Sequence, residues 1–114
     1  MAPTEQSCET PPTPTGAEGS EWDEDQGSVS RVVYTHDRYP DGCTAGVHIS
    51  AIQLIDGRID TASEAPGIYI ECNPYSGLTI SQARSLAVML VESASQLESW
   101  IETFGSAGEQ SEDR

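Results

Sequence analysis

The chain has 114 residues, 36% of them hydrophobic and 6% aromatic, with a formal charge of −14 from 19 acids and five Arg. That length fits one domain with a modest core, and that charge is repelled by nucleic acid and anionic membranes while favouring basic protein partners. No apolar run reaches membrane-spanning length, the opening "MAPTEQSCETPPTPTG" lacks the basic and apolar regions of a secretory signal, and the widely spaced Cys8, Cys43 and Cys72 fit a reduced cytoplasmic chain better than a disulfide framework.

Residues 1–28 carry seven acids, no base and four prolines. So little apolar surface cannot offset the entropy of ordering, and a disordered acidic tail is expected over 1–28. Trp22, set in "SEWDEDQ", has the form of a linear binding motif: a ring to anchor in a pocket, with acids to steer towards a basic rim. The competing reading docks Trp22 on its own domain. The domain itself is expected over 29–104, with a net charge of −5 from nine acids and four Arg, and a second disordered tail over 105–114.

The first half of the domain is strand-like. "VSRVVYTHD" (Val29–Asp37) is rich in β-branched residues, and "YPDGCT" (Tyr39–Thr44) is turn chemistry. "AGVHISAIQLI" (Ala45–Ile55) alternates at Val47, Ile49 and Ala51, then shifts to Ile52 and Leu54. A bulge near Ala51, or burial on both faces, explains the shift. Asp56–Gly57 is a hairpin signal, and a two-residue turn there sets Leu54 opposite Ile59. "IYIEC" (Ile68–Cys72) is a further alternating run, followed by a turn at "NPYSG".

The helix start is marked by a capping box, Thr79 with Gln82. Ile80, Ala83, Ala87, Leu90, Ala94, Leu97, Ile101 and Phe104 follow at alternating spacings of 3 and 4, and Gly105 is a natural stop. The fold class is therefore α+β: a small antiparallel sheet of three to four strands followed by one long C-terminal helix. Such a helix, about 39 Å long at ~1.5 Å per residue, outruns strands of about 17–20 Å. The expectation is that the distal half overhangs, so that Leu97, Trp100, Ile101 and Phe104 meet a partner, most simply in a homodimer. In the competing reading the N-terminal segment folds over that surface.

For metal chemistry the candidates are His36, Cys43, His48 and Cys72. Pairing of the first two strands about residue 42 sets His36 opposite His48, with Cys43 in the connecting turn. The spacing matches no compact zinc motif, and no C-x-x-C pair is present, so no metal or other cofactor is expected. The chain holds no G-x-S-x-G, P-loop or G-x-G-x-x-G motif, and no catalytic residue is assigned.

Leu78, Thr79, Gln82, Ala83, Arg84, Leu86 and Ala87 form an L-T-x-x-Q-A-R-x-L-A helix start after a strand-rich stretch. In this the last two-thirds of the chain resembles small uncharacterised proteins of actinobacteria and their phages. The resemblance implies architecture and a phage or prophage origin, and carries no activity. The expected role is that of a non-enzymatic, cytoplasmic protein-interaction or regulatory protein with a protein partner, for which the charge favours a basic one, and neither direct nucleic-acid nor membrane binding. The alternative is an acidic nucleic-acid mimic that inhibits a DNA-binding protein; a small zinc-binding module is the chemical reading behind both.

Overall fold

The structure, a computed structural model, describes residues 10–40, 42, 45–73 and 75–107. Cys8 and Cys43, and residues 1–9 and 108–114 of the two expected tails, lie outside them. In chain order the strands are β1 (Glu18–Gly19), β2 (Asp23–Asp25), β3 (Ser28–Tyr34), β4 (Gly46–Leu54), β5 (Ile59–Asp60) and β6 (Gly67–Glu71); helix α1 (Ile80–Phe104) follows, and then β7 (Ser106–Ala107). The architecture is the expected α+β one, an antiparallel sheet followed by one long helix, with extra strands of two or three residues at the sheet margins. No helix is long and apolar enough to cross a membrane among the described residues.

β3 and β4 form the centre. They pair with Ser30 opposite Leu54 and Tyr34 opposite Ser50, the register about residue 42 that the sequence implies. Burial alternates along β4 without a slip: Val47, Ile49, Ala51 and Gln53 point into the core, while His48, Ser50, Ile52 and Leu54 are half-buried on the other face. Ile52 and Leu54 are thus explained by a second partly covered face, and no bulge interrupts that ladder. The hairpin at Asp56–Gly57 has one residue more than the two-residue turn. Gly57 N–H donates to Leu54 O (2.8 Å), Leu54 N–H donates to Arg58 O (2.8 Å), and Gly57 has φ 98°. Ile59 therefore stands opposite Gln53 instead of Leu54. A one-residue change of register exchanges faces, and this one puts Ile59 in the core, where it is fully buried.

Residues 10–28, expected as tail, lie on the domain. β1 and β2 pair with the same edge of β3 at its two ends. Ser20 N–H donates to Val32 O (2.8 Å) and Ser20 Oγ accepts from Val32 N–H (3.0 Å), so the hydroxyl continues the ladder. Between Ser20 and Asp23 the edge strand holds one residue more than β3, a β-bulge opposite Arg31. Gln26 and Gly27, both at positive φ (54° and 84°), close the tight turn from β2 into β3. Upstream, the fully buried Gln53 donates to Pro12 O (3.0 Å) and accepts from Arg31 Nε (2.9 Å), and Arg31 Nη2 donates to Pro11 O (2.8 Å). Backbone and buried polar bonds hold this acid-rich segment in place, together with the fully buried Pro14 and with Ala17 against the core.

The core cluster is Val33, Ile49, Ala51, Ile59 and Trp100, with Ala17, Ile68, Leu97, Ile101 and Phe104 packed against it. This corrects the expected overhang. The distal half of α1 is the packed half: Trp100 is 2% exposed, and its indole N–H donates to Thr15 O (3.1 Å) beside Gln96 Nε2 on the same carbonyl (3.3 Å). The N-terminal segment covers this surface, the competing arrangement. The helix end is also tied to the sheet. Gly105, at φ 86°, accepts from Ile59 N–H (2.9 Å), and β7 runs parallel beside β5. The proximal half is the more open one, with Gln82 Nε2 donating to Gly42 O (2.7 Å) on its inner side. The capping box forms as expected, with 3.0 Å bonds in both directions between Thr79 and Gln82. Beyond it, Ile80 is 74%, Val88 58% and Val91 66% exposed. Leu86, Met89 and Leu90 are half-buried on the inner side, so the all-round apolar "LAVMLV" has one covered side and one open side.

Candidate functional site

The sheet face turned away from α1 is the open one. Ile52 and Leu54 of β4 form its floor, with Ser30 and Val32 of β3 beside them by register. Acids stand around this floor. Asp23 and Asp25 come from β2, two residues apart and so on one face of that strand. Asp60 and Glu64 come from β5 and the loop after it, and Glu21 from the bulge. Two adjoining hollows that share Asp23, Ser30 and Ile52 thus form a groove with Ile52 and Leu54 in its floor and carboxylates at its rim.

Asp60 builds one wall. It is 8% exposed, and its carboxylate accepts from Ala62 N–H (2.9 Å), Ser63 N–H (3.1 Å), Ser63 Oγ (2.8 Å) and Glu64 N–H (3.3 Å). Burial pushes its pKa up, but the hydrogen bonds from Ala62, Ser63 and Glu64 together outweigh that and hold it below the ordinary carboxylate value. Asp60 thus stays charged and fixes the loop that carries Glu64.

Trp22 closes the other end. The bulge sets its ring over Arg31, with the guanidinium carbon 4.3 Å from the ring centroid. This cation–π contact docks Trp22 on its own domain, half-buried, while leaving it in the wall of the groove. The other sequence-selected partner residues, Leu97, Trp100, Ile101 and Phe104, lie against the core on the far side of the sheet and contribute nothing to this surface.

The histidines line a neighbouring hollow on the same face, together with Tyr34, Asp37 and Ser50. They do not converge on a common ligand. His36 Nε2 pairs with Glu18 (2.7 Å), and His48 Nδ1 pairs with Asp37 (2.9 Å) while stacking on Tyr69 at 5.2 Å. Among the described residues, Asp37, His48 and Glu71 have ligand atoms within 4.8 Å of one another and could hold a cation together. The geometry already satisfies His48 as a histidine–carboxylate pair. Cys72 is an exposed free thiol one residue beyond β6, outside this cluster. The sequence reading had His48 from its register but missed Asp37 and Glu71, which look like ordinary surface acids. It also missed the groove acids, because Asp23-Glu24-Asp25 has no period-2 alternation and acids are poor strand formers.

Comparison with protein-family models, curated proteins and solved structures finds no match for this chain.

Proposed function

We propose that this chain works by binding and not by catalysis, as a small acidic interaction protein whose groove receives a basic, amphipathic segment of a partner protein. One observation carries the reading: an apolar floor, Ile52 and Leu54, is rimmed by Asp23, Asp25, Asp60 and Glu64. An apolar side chain on the ligand would be desolvated on the floor, while its Lys or Arg would meet the rim. The formal charge of −14 extends the attraction and speeds encounter with a basic partner. The phage or prophage origin implied by the helix-start resemblance belongs to the same proposal.

The test uses synthetic peptides that alternate Lys with Leu, against a control that alternates Glu with Leu. Binding of the Lys peptide, weakened by salt and by Asp23→Asn/Asp25→Asn, with NMR shifts at Ile52 and Leu54, is the expected result. Equal binding by the double variant, or shifts elsewhere only, would contradict it. A second reading is favoured by the placement of Asp23, Glu24 and Asp25 on a strand and not in a free tail. Fixed carboxylates are what a nucleic-acid mimic requires, and displacement of a DNA-binding protein from duplex DNA would select that reading.

A further inference from the structure

The outer face of α1 has a charge pattern that fits a second copy of itself. Arg84, Val91 and Glu98 are spaced by seven residues, so they lie nearly in line, drifting only about 20° per interval. This line is opposite the sheet-facing Ser93 and Trp100, and every residue on it is exposed. Ala87 and Val88 fill the first interval and Ala94 the second, also exposed. The face thus runs from positive, through small and apolar, to negative.

Among the described residues the ion pairs are His36–Glu18, Arg38–Glu92, His48–Asp37 and Arg58–Asp56; neither Arg84 nor Glu98 is in one. From Thr79 to Val91 the helix carries no acid, and Arg84 is its one charge. In an antiparallel pair about Val91, this acid-free half of each copy, with Arg84 at its middle, faces the Glu98-bearing half of the other. Small residues at 87 and 94 permit the close end of the 8–10 Å range of helix separations.

We infer that α1 forms an antiparallel homodimer about a two-fold axis at Val91, with Arg84 of each copy meeting Glu98 of the other. Val91 then packs on itself, and Val88 packs on Ala94 of the second copy. A two-fold contact of this kind is self-complementary and closes without further growth. One helix face buries less than the standard interface, so the dimer forms at micromolar concentration or above. This surface is separate from the groove, and its test does not depend on peptide binding.

Sedimentation equilibrium of the full chain from about 1 µM to about 1 mM is expected to show a monomer–dimer equilibrium. Arg84→Glu and Glu98→Arg each replace two attractions with two repulsions and should raise the dimer Kd by about tenfold or more. The double variant Arg84→Glu/Glu98→Arg restores both pairs and should return the Kd close to that of the natural chain. A monomer at every concentration, single variants that dimerise unchanged, or a double variant as weak as the singles would each overturn the proposal. Circular dichroism of each variant separates loss of association from loss of helix. If a charge reversal lowers helicity, Arg84→Gln and Glu98→Gln carry the same comparison, and an unchanged Kd in both would overturn it.

Discussion

The two halves of α1 are equally helical and both rich in apolar residues, yet they have opposite surroundings. The distal half buries Trp100 and packs Leu97, Ile101 and Phe104 on the sheet, while the proximal half leaves Ile80, Val88 and Val91 in the open. Composition alone would assign them the other way, because the acids lie in the distal half and the uncharged run in the proximal one. What separates them is where the core lies. The distal half packs on Val33, Ile49, Ala51 and Ile59, with Gly105 bonded to Ile59 and Thr15 O receiving the Trp100 indole N–H. The proximal half is also held, by Gln82 Nε2 on Gly42 O (2.7 Å) and by the Arg38–Glu92 pair beyond it, but it does not join that core.

The largest effect should come from the packed half. Trp100→Ala removes the largest fully buried side chain and should cost about 3–5 kcal/mol, read as a lower urea midpoint in equilibrium denaturation. A small loss would erase the contrast between the halves. Next is Asp60→Ala, which strands the amides of residues 62–64 and should cost about 1–3 kcal/mol. Its pH signature has a definite sign. A folded pKa held below the unfolded value adds stability above the unfolded pKa, and this is lost as pH falls through the folded value. The natural chain should therefore lose part of its stability below about pH 4, and the Ala variant should lack that part in acid titrations monitored by fluorescence.

Smaller effects sharpen the contrast from the open side. Thr79→Ala removes the capping box and should cost about 1 kcal/mol. Because the first turns are exposed, the loss should appear chiefly as reduced helicity near residue 80, measured by Cα chemical shifts. Val91→Ala in dilute solution should change stability by less than about 0.5 kcal/mol, since it is 66% exposed among the described residues. Urea denaturation at low micromolar concentration checks this, and a cost above about 2 kcal/mol would mean that Val91 is buried in the monomer.

Much of the fold was legible because its signals are local. The capping box at Thr79 and Gln82, the stop at Gly105, the hairpin at Asp56–Gly57 and the β3–β4 register all follow from short-range chemistry. The phase of the helix was not legible. "LAVMLV" is apolar on every side and points nowhere, while Ser93 and Gln82 interrupt the true inner line with polar residues. Gln53 hid its core position in the same way, because its burial depends on distant partners, Arg31 and Pro12. The edge strands in residues 10–28 escaped a composition argument because hydrogen bonds to β3 and a few buried residues, Pro14 and Ala17, hold them. Of the groove, Trp22 was singled out as a partner-binding residue and lies in its wall, but the acids come from two separate segments, 21–25 and 60–64, that only the topology brings together.

The most direct test of the contrast is amide hydrogen exchange along α1, measured residue by residue at two protein concentrations. In dilute protein, the amides of Leu97–Phe104 should exchange as slowly as those of β4. The amides of Arg84–Leu90 should exchange much faster by local opening, and should slow as concentration rises and the second copy covers them. Uniform protection along the whole helix in dilute protein, or a distal half that opens first, would contradict the account.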